Sequence, residues 1–450
     1  MGLFLRLEEI VSDFPTGTPR KLISVLQAVL GSLQEHISHS EDPGLLSWVC
    51  DLVEGYLSDS LSWLDNAHTA QTPRGLVQFL EAAATKLAPD SKLLVAPSYE
   101  CNYSIEDLVP WFRELLEPFL DTTEVDRLLA TMPPALYLVR FPRIERDNVL
   151  NHAVFGHEFG HLIAAQFLSD FTSSKKYKMQ VKGVTKSLRK LANERASDAT
   201  DLMAVQRQLF KECSTFYRRG LEELVSDAVG VYSFGPSALF AFLDVFLATP
   251  LDTLPRHPGY YPPARYRLRL MNSLLLKERQ LQCLTKLTRS FGDRRVGRSL
   301  SSILGHLDLL ASKRSDRKAI KAEPVIGIAY GWLEETIADA LRFARKKCKA
   351  TMFYENALIE KEIPELLQRL SIEIPPGERG RWPNAIPVDW RSSILSAWIM
   401  KITIATRSRT STRVLGKNVN ELHRLALKGI EYSILSSKYK RFSIASRAKP

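Results

Sequence analysis

FGHEFGHLIAAQF, residues 155–167, holds the pentapeptide His157-Glu158-Phe159-Gly160-His161 inside an apolar run. On an α-helix, positions i and i+4 share a face, so His157 and His161 can reach one metal ion. Glu158, beside the first imidazole, projects toward the place where a metal-activated water would sit. Neutral imidazole nitrogens and carboxylate oxygens suit a tetrahedral zinc site, and a catalytic site keeps one position open for solvent. Val154, Phe155, Phe159, Leu162, Ile163 and Phe167 surround the motif, which implies a mostly buried helix where two histidines and a glutamate need partners. Gly160 weakens a helix interior unless a facing backbone approaches closely there.

A third ligand is required. Residues 223–227 read Glu-Leu-Val-Ser-Asp within a helix expected over Gly220–Tyr232. With HExxH on one helix and ExxSD on a later one, the chain resembles the zincin metallopeptidases, particularly the thermolysin-like gluzincins. The resemblance covers roughly residues 90–270. It implies that Glu223 is the third zinc ligand and that Asp227 orients His157, and it implies one Zn2+ per chain. Fixing the tautomer of a ligating imidazole needs an acceptor at its other ring nitrogen, which gives Asp227 a reason of its own. Glu222 is the rival ligand, since a one-residue shift exchanges the two. The 61 residues between His161 and Glu223 exceed the connection that thermolysin-like enzymes use. The basic segment 173–219 therefore reads as an insertion, either a helical hairpin or an exposed arm. The stretch Ser233-Phe234-Gly235-Pro236 with the following His-Pro and Arg-rich helix also resembles uncharacterised bacterial zincins.

The family places a histidine after the third ligand to stabilise the oxyanion. His257 is the histidine that follows Glu223, in a loop rich in Pro and Tyr, and Tyr260 or Tyr261 could substitute for it. A donor there is useful because charge develops on that oxygen only in the transition state.

Outward from the motif, Lys92–Ser98 and Ala135–Phe141 are short apolar runs that read as buried strands. Between them, Ile105–Leu120 is expected to be a helix capped by Ser104. Lys21–Ile37 has apolar residues at helical spacing, a second helix is expected to start at Asp42 and Pro43, and a third at Thr72 and Pro73. Ala238–Thr249 reads as a buried core helix. The expected fold is α+β and predominantly α-helical: a zincin-like core with a small β-sheet and two long active-site helices, flanked by helical N- and C-terminal regions. In domain terms this gives a helical region 1–90, the core 91–275, a helical region 276–373, and a C-terminal helical region 374–450 set off by the Pro/Gly-rich stretch 374–387 and ending in a loose basic tail.

The net charge of +11 is uneven: 11 basic against 23 acidic residues up to Gly160, and 50 against 27 beyond it. Either the acidic front meets the basic back, or the basic half, with runs at Arg345–Lys349, Arg407–Arg413 and Lys438–Arg441, binds an acidic partner such as nucleic acid. Those runs carry no recognisable binding motif. Five cysteines without a CxxC pair point to reduced thiols and a cytoplasmic location. No segment is apolar over the roughly 18 residues that a membrane span requires. The expected function is zinc-dependent hydrolysis of an intracellular peptide or protein, with Glu158 as the base. The alternatives are a nucleic-acid-associated regulator whose zincin part cleaves a repressor or is structural, and an inactive zinc scaffold.

Overall fold

The computed structural model describes residues 14–38, 43–100, 102–118, 120–246, 250–290, 294–381, 384–406 and 412–447. The chain is mainly helical with a small sheet. It forms two compact units, one running to Val149 and including the residues from Ile430 onward, the other comprising Leu150–Gly429.

In the first unit, α1 (Thr18–Ser38), α2 (Pro43–Asn66) and α3 (Arg74–Leu87) precede a three-stranded sheet of β1 (Ser91–Ser98), β2 (Ser104–Asp107) and β3 (Ala135–Pro142). Between β2 and β3 lie α4 (Leu108–Leu116) and α5 (Thr122–Leu129). The central strand is β3, parallel to β1 with Leu94 opposite Leu138 and antiparallel to β2. Both expected strands are present, and their apolar runs are buried together with Leu22, Leu26, Leu64 and Phe112. Two helix starts differ from the sequence reading. Ser104 belongs to β2, because Ile105 and its neighbours pair with β3, and Asp107 caps α4 by accepting from Val109 N. Thr72 gives its hydroxyl to the Asn66 carbonyl, so Pro73 takes the cap position and α3 begins at Arg74. Asp42 lies outside the described residues.

The second unit holds α6 (Phe155–Thr172), α7 (Lys175–Arg195), α8 (Ala199–Phe234), α9 (Pro236–Phe246), α10 (Ala264–Lys277), α11 (Gln280–Ser290), α12 (Arg294–Ser312), α13 (Ser315–Ala322), α14 (Pro324–Thr351), α15 (Asn356–Lys361), α16 (Ile363–Ser371) and α17 (Trp390–Ala405). Helix α18 (Thr412–Arg447) follows, so the basic tail is helical through Arg447 and not loose. The domain limits read from the sequence are redrawn. The strands group with the N-terminal helices, and residues 276–429 group with the HExxH helix. The physical reason for the second regrouping lies in α17, which buries Ile394, Leu395, Trp398 and Ile399 and so needs neighbours on all sides. The Pro/Gly-rich stretch 374–387 folds into the short pair β4 (Glu378–Arg379) and β5 (Ile386–Pro387), and Ser393 of α17 donates to its Pro376 carbonyl.

The basic segment is a helical hairpin, and its second arm continues without a break into the helix that carries Glu223. Together they make α8, of 36 residues. Asp198 starts it by accepting from the amides of Thr200 and Asp201. Its second half is fixed against α14 and the connection that follows it: the Tyr217 and Trp332 rings stack at 3.8 Å, and Tyr354 N donates to Tyr232 O. Gly235 ends the helix at φ +59°, a conformation that glycine adopts without penalty.

Candidate metal centre

Helices α6 and α8 touch backbone to backbone. A Cβ on Gly160 would lie 2.5 Å from Ser226 Cα, and one on Gly156 would lie 2.6 Å from the Phe234 ring. This is the close approach that Gly160 implied. It brings the two HExxH imidazoles to the buried face of α8.

There the structure separates Glu223 from Glu222. Glu223 is 1% exposed, with Oε2 3.4 Å from His157 Nε2 and Oε1 3.8 Å from His161 Nε2. Glu222 is half-buried and pairs with Arg219 at 3.3 Å. Asp227, one turn on, places Oδ1 2.9 Å from His157 Nδ1. Each of His157, Glu158 and His161 also offers a ligand atom, all within 4.8 Å of one another.

Two arginines that the sequence reading missed complete the site. Arg267 of α10 is buried and donates to both oxygens of Asp227, at 2.8 and 2.7 Å; its third nitrogen lies 3.1 Å from Glu223. Arg219, four residues before Glu223 on α8, reaches that carboxylate at 3.0 Å. The available signal was the run ARYRLRL, in which a helix otherwise apolar on its inner face carries cations at 265, 267 and 269. Buried cations need acids, and each finds one: Arg265 takes Asp252, Arg267 takes Asp227, and Arg269 takes Asp316.

The charges shape one another. Burial opposes a charge on His157, but the hydrogen bond to Asp227 and the nearby Glu223 carboxylate outweigh it and hold the imidazole up to about 9. Burial, aided by the charge on His157, pushes His161 down to about 3, so this ring is neutral at ordinary pH. Burial also pushes Glu158 up to about 7, against the pull of His157. Burial would raise Glu223 and Asp227 as well, yet the Arg267 guanidinium and His157 hold both below the usual carboxylate range.

Whether this donor set suits a metal can be tested on two observations. First, neither oxygen of the buried Glu223 meets an aligned hydrogen-bond donor, although Arg219 and Arg267 stand 3.0 and 3.1 Å away and compensate its charge. A buried carboxylate with free lone pairs is costly unless something else fills them. Second, ligand bonds of about 2.0–2.1 Å to a tetrahedral ion set the ligand atoms about 3.4 Å apart; Glu223 Oε2 lies 3.4 Å from His157 Nε2, and its other oxygen 3.8 Å from His161 Nε2. The residues fit zinc.

The loop expected to stabilise an oxyanion is bound to the site unevenly. His257 is exposed, and its ring meets the edge of Tyr260. Tyr260 itself packs on Phe216 and takes φ +52°, a left-handed conformation costing roughly 1–2 kcal/mol for a non-glycine residue. Tyr261 lies under Arg219, with the guanidinium carbon 4.8 Å from the ring centre, and Arg219 Nε donates to Gly259 O. Through Arg219, Tyr261 and Gly259 are thus joined to Glu223.

Of the basic runs, Arg345–Lys349 is largely engaged within the fold. Arg345 pairs with Glu278, Lys347 and Lys349 lie over Phe343 and Phe353, and Cys348 is buried. Residues 407–411 lie outside the described residues. Among the described residues no helix is long and apolar enough to cross a membrane.

Compared with known proteins, the chain matches no family model, and neither characterised proteins nor solved structures give a significant match.

Proposed function

We propose that this chain is a zinc-dependent peptidase with a zincin-like centre, in which His157, His161 and Glu223 hold the metal and Glu158 is the base. The observation that carries the reading is the placement of one buried carboxylate with its two oxygens 3.4 and 3.8 Å from two imidazoles contributed by another helix. Bound by such a set, zinc would supply an acidified water, with a pKa of roughly 7, and a Lewis acid for the carbonyl to be cleaved.

The remaining work falls to the chain. Asp227 accepts from His157 Nδ1, which leaves Nε2 free to point at the metal; Arg267 in turn fixes Asp227. Glu158, held near 7, can take a proton at neutral pH and return it to the leaving amine. Tyr261, held over Arg219, is the donor of the His257–Tyr261 loop best connected to the site. The substrate is a peptide or protein.

Metal analysis of the purified wild type beside Glu158→Gln and His161→Ala tests this. About one zinc per chain is expected in the first two and a strong loss in the third. Peptides released from a mixed protein digest, read by mass spectrometry, should appear with the wild type and vanish with Glu158→Gln. Equal zinc in all three proteins rejects the site, and equal cleavage by Glu158→Gln rejects the mechanism.

A further inference from the structure

The hairpin of α7 and the first half of α8 takes no part in the metal centre, yet it carries a groove of about 420 Å³. Leu188 forms part of its floor, with Met203 and Phe210 facing it, and Thr185 and Gln206 complete the walls. Met203 is 59% exposed, which is unusual for a large apolar side chain. Arg207 and Lys211 line the α8 wall. On α7, Lys182 and Arg189 stand one turn to either side of Thr185 and so share its face. All four cations are exposed, and among the described residues none has an ion-pair partner. They differ in this from Lys176 on the same helix, which pairs with Asp339.

We infer that this groove is a docking site for an acidic amphipathic helix of another protein. The trough between two packed helices is the shape that a third helix fills, its apolar ridge on the floor and its flanks along the walls. Both walls are positive, so the flanks must be carboxylates. Nucleic acid fits less well: the floor is aliphatic and thioether with one half-buried phenyl ring, and offers no exposed aromatic platform for bases. The inference goes beyond the peptidase reading and does not rest on it. Should both hold, the docked protein sits on the same rigid helix as Glu223, about 18 Å along the axis from Lys211, as a tethered substrate would.

The test uses the full chain and a fluorescein-labelled peptide of about 18 residues, five helical turns, with Leu at i, i+3, i+4 and i+7 and Glu elsewhere. The comparison probes are the same peptide with Lys for every Glu and a DNA duplex of similar charge. Fluorescence anisotropy should show saturable binding of the acidic peptide and not of the basic one. Arg207→Glu and Met203→Asp, both at exposed positions and checked by circular dichroism, should each weaken it about tenfold, or roughly 1.4 kcal/mol. Zinc content of both variants should match the wild type, so that the outcome is independent of the metal centre. Equal binding of the two peptides, or no loss in Met203→Asp, overturns the proposal; so does tighter binding of DNA that only Arg207→Glu weakens.

Discussion

The two halves of α8 have the same secondary structure and opposite surroundings. From Gly220 to Phe234 nearly every side chain is buried, including Glu223 and Asp227 at 1% exposure each. From Ala199 to Arg218 the helix is mostly open to solvent along one side, and its cations Arg207 and Lys211 stand free. In the first half a charge costs almost nothing because water solvates it. In the second a charge persists only because a counter-charge meets it at hydrogen-bonding distance. One helix therefore supplies both a centre where charges are fixed in position and an arm where they remain available to a partner.

The largest test of that contrast is Asp227→Ala. It leaves the buried Arg267 without its bidentate partner and should cost about 3–5 kcal/mol, while Arg207→Ala on the exposed half should stay within about 0.5 kcal/mol. Urea denaturation of the two variants measures both, and a similar loss in each would erase the distinction between the halves.

Next in size is the pH dependence of zinc uptake. In the metal-free site His157 is held up to about 9, so binding at neutral pH must displace its proton, whereas His161 is already neutral. The sign follows: affinity rises with pH, about tenfold per unit between 7 and 9, and levels off above. Competition against a chromophoric chelator reads the slope. A flat profile over that range would remove His157 as a ligand.

The smallest effects concern glycine. Gly160→Ala forces a Cβ against the α8 backbone, where nothing can move aside, and should cost about 1–3 kcal/mol. Gly183→Ala, on exposed α7 with nothing within 4 Å, should instead stabilise by about 0.5–1 kcal/mol. Thermal melts that shift in the same direction for both would contradict the backbone contact at Gly160.

Much of this was legible in the residues. The i, i+4 histidines, the intervening glutamate, the apolar flanks and the strands at 92–98 and 135–141 all follow from local periodicity, which a sequence displays directly. Caps were harder to read: Ser104 and Thr72 were both good candidates, but Ser104 was taken by strand pairing with β3 and Thr72 by the Asn66 carbonyl six residues upstream. The domain limits also depended on packing between elements far apart in sequence.

What the sequence determined by itself is that His157, Glu158 and His161 share one helix and that Gly160 calls for a close neighbour, because helical geometry is fixed by spacing alone. Only the tertiary structure decided that Glu223 and not Glu222 faces those imidazoles, that Arg219 and Arg267 hold the carboxylates, and that the second arm of the basic hairpin is one continuous helix with the site. Those choices depend on rotation about a helix axis and on residues 40 or more positions apart meeting in space, which no local pattern encodes.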